Sequence, residues 1–170
     1  MIDKKVYEDN IAYTIHQIGS IRGEKPGKKM LHKILYLVQA KGVNLDLEYG
    51  IHFYGPYSAT LDATASALAT DGIICFEYKG LSHLMGINDV YDVRSCLEGE
   101  EEATLKAVIE RYKDKNPTDL ELITTAHYVK DKLPAAEDES IIAGVRKIKA
   151  DKYSETAIRE AIGELNTFFV

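Results

Sequence analysis

Apolar residues recur along this chain mostly with the period of an α-helix. Tyr7, Ile11, Ile15 and Ile18 predict a first helix over residues 5–19, ended by Gly19 and Ser20. Arg22 to Gly27 is a loop by its Gly and Pro content. Leu31, Ile34, Leu35 and Val38 stand at i, i+3, i+4 and i+7 and predict a second helix over 28–41. Lys28, Lys29, Lys33 and Lys41 occupy its other positions, and Gly42 stops it. A polar connector leads to a short β-like run, Ile51 to Tyr54, closed by Gly55-Pro56. Ser58 is placed to cap a third helix over 58–71, with Leu61, Ala65 and Leu68 facing inward and Asp71-Gly72 at its end.

Ile73 to Tyr78 reads as a strand and Val90 to Val93 as its partner. Residues 79–89 between them, with Gly80, Gly86 and Asn88-Asp89, read as a long hairpin tip that sets register weakly. Four helices follow. Leu105, Val108, Ile109 and Tyr112 mark one over 100–114, broken by Asn116-Pro117. Thr118 with Glu121 has the form of a capping box opening the next, which runs to about 132 before Pro134. Leu122, Ala126, Val129 and Leu133 give it one apolar face, and Leu120 with Ile123 a second, so it is expected to be central. Ile141, Val145 and Ile148 mark a helix over 137–150; Ser154 caps the last, which buries Ile158, Ala161, Ile162, Leu165, Phe168 and Phe169. The expectation is a mainly α fold with a small β-hairpin. A winged-helix-like N-terminal part, 1–96, packs on a C-terminal helical bundle, 97–170, within a single domain.

Composition narrows the function classes. In 170 residues, 45% are apolar and 28% charged, the profile of a globular protein with a core of its own. Net charge is −6: residues 1–42 hold eight Lys/Arg against four Asp/Glu, and the remainder thirteen against twenty-three. Such a chain has no general attraction for nucleic acid or anionic membrane, and only its first quarter could supply a basic patch. No apolar run follows the N-terminus as in a signal peptide, and none approaches the ~20 residues of a membrane span. A cytoplasmic protein without membrane contact is expected. Cys75 and Cys96 fit a reducing compartment; they could face each other across the hairpin, but buried, unreactive thiols are the expectation.

The chemistry-bearing residues form no recognisable catalytic pattern. None of the five histidines pairs as H-x-x-x-H and neither cysteine lies in C-x-x-C, so no metal site is assigned. Gly23 to Lys29 comes close to a P-loop, but the glycine spacing is short, Lys29 stands where Ser or Thr should hold magnesium, and no strand precedes it. Glu100 to Glu102 and Glu137 to Glu139 open helices, where anions offset the dipole. His127 reads as a core histidine bonded to a backbone carbonyl. In a winged helix the helix before the ribbon faces DNA. Here that helix, Ser58 to Asp71, carries two Asp and no Lys, Arg, Asn or Gln. About sixteen residues also separate it from the second helix, where a helix-turn-helix needs three or four.

The stretch His52-Phe53-Tyr54-Gly55-Pro56-Tyr57-Ser58, with Lys28 to Leu37 upstream and Leu120 to Tyr128 downstream, resembles the YwgA-like bacterial proteins. These are similar to the SocA-like antitoxin domain, also called Panacea. The resemblance spans residues 5–165. It implies a mostly helical fold with a winged-helix-like part, no known catalytic site, and binding of partner proteins such as toxins or mobile-element products. Physically, the signature has a structural role, since Gly55-Pro56 turns the chain and Ser58 caps a helix.

Three functions are therefore expected in order. The first is an antitoxin-like protein-interaction domain contacting its partner through Tyr54, Tyr57, Ser58, Asp62 and Ser66, with eleven tyrosines and the apolar Phe168-Phe169-Val170 as further features. The second is a winged-helix transcriptional regulator binding DNA through Arg22, Lys25, Lys28, Lys29 and Lys33. The third is an enzyme built around His127 or His52, which would need a deep polar pocket. No catalytic residue and no cofactor are assigned, and the oligomeric state, dimer included, is open.

Overall fold

A computed structural model describes every residue except Pro134, Ala136 and Val170. Its order is α1 (Lys4–Arg22), α2 (Lys28–Ala40), β1 (Gly50–His52), β2 (Gly55–Tyr57), α3 (Ala59–Thr70), β3 (Ile74–Lys79), β4 (Ser82–Ile87), α4 (Glu100–Tyr112), α5 (Pro117–Lys132), α6 (Asp138–Lys149) and α7 (Glu155–Phe168). The chain is mainly helical, with two small antiparallel hairpins in place of the one expected.

One apolar cluster runs from Ile11 to Leu165. Its centre is α2, which touches α4, α5, β2 and β4, and α5, which touches α2, α6, α7 and β2. Every residue from Met30 to Val38 is buried, as is every residue from Leu120 to Ala126. A helix surrounded in this way has no polar face. The central place of α5 is as its double apolar face predicted, but α2 is just as enclosed, and Lys33 is enclosed with it.

Several boundaries move for local reasons. α1 continues past Gly19-Ser20 to Arg22, because Gly23 takes a left-handed φ of 73° and donates its N–H to the Gly19 carbonyl. The predicted strand Ile51 to Tyr54 splits: Phe53-Tyr54 form the turn, and His52 pairs with Gly55. β3 does not pair with Val90 to Val93. It folds straight back onto Ser82 to Ile87 through a two-residue turn, Gly80-Leu81, with Lys79 opposite Ser82 and Ile74 opposite Ile87. Gly80, at φ 62°, fills the first turn position, where only glycine is at ease. The 79–89 segment is thus a defined hairpin rather than a loose tip. Asn88 ends it by bonding Gly72 O through its side chain and Ile73 O through its backbone.

The capping box is also corrected. Asn116 caps α5, accepting from Asp119 N at 2.8 Å, with Pro117 in the first turn. Glu121 is buried and ion-paired instead. Ser58 and Ser154 cap α3 and α7 as expected. Leu133 is exposed and not part of the α5 face, and the stop assigned to Pro134 lies outside the described residues. Cys75 and Cys96 are free and exposed, against the expectation of burial; Cys75 stands opposite Gly86, not Cys96. Phe168 and Phe169 pack on the core, Phe168 edge-on to Tyr112 at 5.4 Å.

Two glycines mark close approaches. A Cβ on Gly55 would stand 3.3 Å from Thr125 Oγ1 and 3.4 Å from Glu121 Cγ, so the β1–β2 turn lies directly on α5. A Cβ on Gly144 would come within 2.5 Å of Val129 Cγ1, so α6 meets α5 without room for one methyl group.

Candidate functional site

The β3–β4 hairpin leans over the start of α2. Met85 N donates to Pro26 O at 2.8 Å, and Lys25 pairs with Glu77 at 3.0 Å. Between this hairpin, the first turns of α2, the side of α3 and the α4–α5 loop lies a groove of about 830 Å³. Met30, Leu61, Ala65 and Met85 floor it, and Phe76 and Leu81 stand on its hairpin wall. Leu81 is fully exposed and Phe76 is 43% exposed. Arg22, Lys25, Lys28, Lys29 and Lys115 are its cations; Glu24, Asp62 and Asp114 its carboxylates.

His32 forms part of this wall and is almost fully buried. Its Nδ1 accepts from Ser58 N at 3.2 Å, so the remaining proton of the neutral ring sits on Nε2. Burial holds its pKa down to about 4, with Lys33 acting in the same direction. The ring stacks on Tyr57 at 4.6 Å, and Tyr57 stacks in turn on His52. Tyr57 donates its hydroxyl to Asp62 Oδ2 at 2.8 Å, and Lys28 pairs with Asp62 at 2.5 Å. Partial burial works against the ionised Asp62, but these two partners hold its carboxyl below the usual range. Asp62 keeps the Tyr57 phenol protonated.

The structure thus brings together Tyr57, Asp62 and, one turn along α3, Ser66, which is exposed in the groove. Tyr54 lies apart from the groove lining, half-exposed, with the Lys29 ammonium 3.4 Å from its ring centroid. Ser58 is fully buried and committed to its cap, so it offers nothing to a partner.

The basic stripe is not the open phosphate-binding face that its sequence suggests. Arg22 donates to Lys113 O at 3.0 Å and reaches Glu24. Lys25 and Lys28 are held by Glu77 and Asp62, and Lys29 by Tyr54. Lys33 is 2% exposed, inside the protein.

The outward positions of α3 are uncharged apart from Asp62, which Lys28 and Tyr57 hold. Ala59, Thr60, Ala63, Ser66, Ala67 and Thr70 are exposed. The hydroxyls of Thr64, Ser66 and Thr70 donate back to the carbonyls of Thr60, Asp62 and Ser66 at 2.9–3.1 Å. What remains on the outside is largely methyl groups.

His127 bonds the Tyr36 hydroxyl at 2.8 Å through Nδ1, a side-chain partner rather than a backbone carbonyl. Burial lowers the pKa of His127 and raises that of Tyr36, which keeps both neutral. A smaller depression of about 250 Å³ adjoins them, lined also by Gln39, Tyr49 and Asp131. His52 is exposed on the face of Tyr57. Among the described residues, no three His, Cys, Asp or Glu side chains group as metal ligands, and no helix is long and apolar enough to cross a membrane.

Sequence reasoning missed the hairpin wall, because Phe76, Leu81, His83 and Leu84 reach the groove only once the strand pairing is known. It also missed a buried charge cluster beneath the Phe53-Tyr54 turn. Glu121 Oε1 accepts from Lys149 at 2.9 Å and Lys152 at 2.7 Å, and Lys149 also donates to Phe53 O. Burial opposes ionisation of Glu121, but the two lysines hold its pKa below the usual range. The one signal pointing to it was Lys33 and Glu121 standing inside otherwise apolar runs. The chain matches no protein-family model, and a search of curated proteins returns no match.

Proposed function

We propose that this chain is a non-enzymatic, antitoxin-like protein-interaction domain, as its resemblance to the YwgA-like and SocA-like proteins implies, and that its partner docks on α3 and the adjoining groove. The observation that carries this reading is the chemistry of α3. Its exposed face offers neither a cation for phosphate nor an amide or guanidinium for base edges, and the hydroxyls of Thr64, Ser66 and Thr70 already donate to carbonyls of the helix. A methyl-rich helix face suits close packing by another polypeptide. The exposed Phe76 and Leu81 across the groove add the apolar anchors such interfaces use. The four lysines of the groove are held by Glu77, Asp62, Tyr54 and Glu164, so its exposed apolar residues select a largely apolar segment. A toxin or mobile-element product is the partner class. A cytoplasmic setting, where the two free thiols stay reduced, fits this role.

DNA binding draws no support from the basic stripe, since four of its five cations already have partners within the chain and the fifth is buried. The test is co-purification with the product of the neighbouring open reading frame. Ala67→Arg and Leu81→Asp change exposed positions and should leave the thermal midpoint in place while weakening a stoichiometric complex at least tenfold, about 1.4 kcal/mol. A complex indifferent to both substitutions would refute the assigned surface. Tight binding of duplex DNA at low salt, lost in Lys28→Glu, would refute the function itself.

A further inference from the structure

The β3–β4 hairpin has one covered edge and one open edge. In an antiparallel pair, residues that bond the partner strand alternate with residues whose N–H and C=O point away from it. The two-residue turn makes Lys79 and Ser82 a bonded pair, so Cys75, Glu77 and Lys79 bond β4, while Ile74, Phe76 and Tyr78 point outward. Two further bonds obey this parity. Asn88 N donates to Ile73 O at 2.8 Å, and Met85, opposite Phe76, turns its N–H away from β3 to Pro26 O at 2.8 Å. The outer edge of β4 is thus covered by Pro26 and Gly27. Nothing covers β3 in the same way. Among the described residues, the backbone N–H and C=O of Phe76 and Tyr78 have no partner, and both side chains are exposed, Tyr78 at 73%. Such an edge is a template for another strand.

We propose that this edge is a self-association surface, on which β3 of a second copy pairs antiparallel about a two-fold axis at Tyr78 and joins two hairpins into one four-stranded sheet. Phe76 and Tyr78 can bond their copies with the axis at residue 76, 77 or 78. An axis at Phe76 brings the rest of the strand against Ile74, which is 3% exposed and follows the end of α3 directly, Ile73 N bonding Leu68 O. An axis at Glu77 sets that carboxylate directly against its own copy, a destabilising like-charge pair. An axis at Tyr78 sets Glu77 against Lys79 of the second copy, and Lys79 against its Glu77. These two side chains share a face of the strand and are largely exposed, and each already has one neighbour of opposite sign, Lys25 for Glu77 and Glu24 for Lys79. Charges across the junction therefore alternate: Lys25, Glu77, then Lys79 and Glu24 of the second copy. On the other face Tyr78 meets Tyr78 of the second copy, an aromatic cross-strand pair. The axis lies beside the Gly80-Leu81 turn, so the overlap is confined to the hairpin tips. This pairing does not depend on the partner assigned to α3.

Sedimentation velocity of the intact chain, from about 10 μM to about 1 mM, should show a monomer–dimer equilibrium. A contact this small belongs to the weak class, half-associated near about 100 μM. Lys79→Glu sets like charges across the axis and should weaken the dimer about tenfold. The register is read by oxidative cross-linking in a chain carrying Cys75→Ser and Cys96→Ser. Directly opposed bonded residues have Cα atoms about 5.5 Å apart, within reach of a disulfide, whereas diagonal neighbours stand about 7–8 Å apart, at or beyond its limit. Tyr78→Cys should therefore yield a covalent dimer, and Glu77→Cys should not. Circular dichroism checks the fold of each variant. A chain that stays monomeric over the whole range overturns the proposal. So does a dimer indifferent to Lys79→Glu, or one that links through position 77 as readily as through 78.

Discussion

His32 is fixed as a neutral acceptor by one backbone N–H and by the rings around it. Its pKa of about 4 lies below the ~6.5 of a histidine in an unfolded chain. Between those values the unfolded chain takes up a proton that the native ring refuses. Stability therefore falls as pH drops from ~6.5 to 4, by up to about 3 kcal/mol. His127, lowered by burial, acts with the same sign. The depressed carboxylates Asp62 and Glu121 withdraw their contributions only in more acidic solution. His32→Asn keeps an acceptor for Ser58 N. Urea titrations should show a shallower loss for this variant between pH 6.5 and 4; identical slopes would contradict the assignment. Nothing in the local sequence hints at this role, because a histidine's environment depends on contacts far along the chain. Lys33 is deceptive for a related reason: periodicity places it with Lys28 and Lys29, and only the packing of α5 and β2 on α2 encloses it.

Caps are legible where a hydroxyl directly precedes an apolar periodic run, as at Ser58 and Ser154. They mislead where two signals compete. Thr118 with Glu121 fits the capping-box spacing, but Asn116 followed by Pro117 starts the helix earlier. Asn116→Ala should cost ~1 kcal/mol of unfolding free energy, and Thr118→Ala under ~0.5 kcal/mol, by denaturant titration. The reverse ranking would restore the capping box. The β3–β4 hairpin is obscured in the same manner. Gly80, Gly86 and Asn88-Asp89 all advertise turns, and the alternation of Val90 to Val93 imitates a strand. Pairing settles the matter, because Gly80-Leu81 lets six residues of each strand bond.

At the scale of the molecule, the helical class, the order of the helices and most apolar residues of their inward faces are readable from period alone, Leu133 excepted. The groove is not. It exists because the hairpin bonds to Pro26, because α3 lies beside it, and because the α4–α5 loop closes one end. These are encounters between segments distant in the chain, and no local pattern records them.

The missing methyl at Gly144 ties two helices into a single allowance of volume. Gly144→Ala alone forces its new carbon against the stiff Val129 side chain and should cost about 1–3 kcal/mol. Val129→Ala alone leaves a void and should also destabilise. Combined, each change relieves the other, so the double variant should be more stable than the sum of the two losses predicts. Strict additivity in calorimetry would show that α5 and α6 can slide apart. Otherwise these positions can drift only as a pair, and a graft that transplants one helix without its neighbour will not seat.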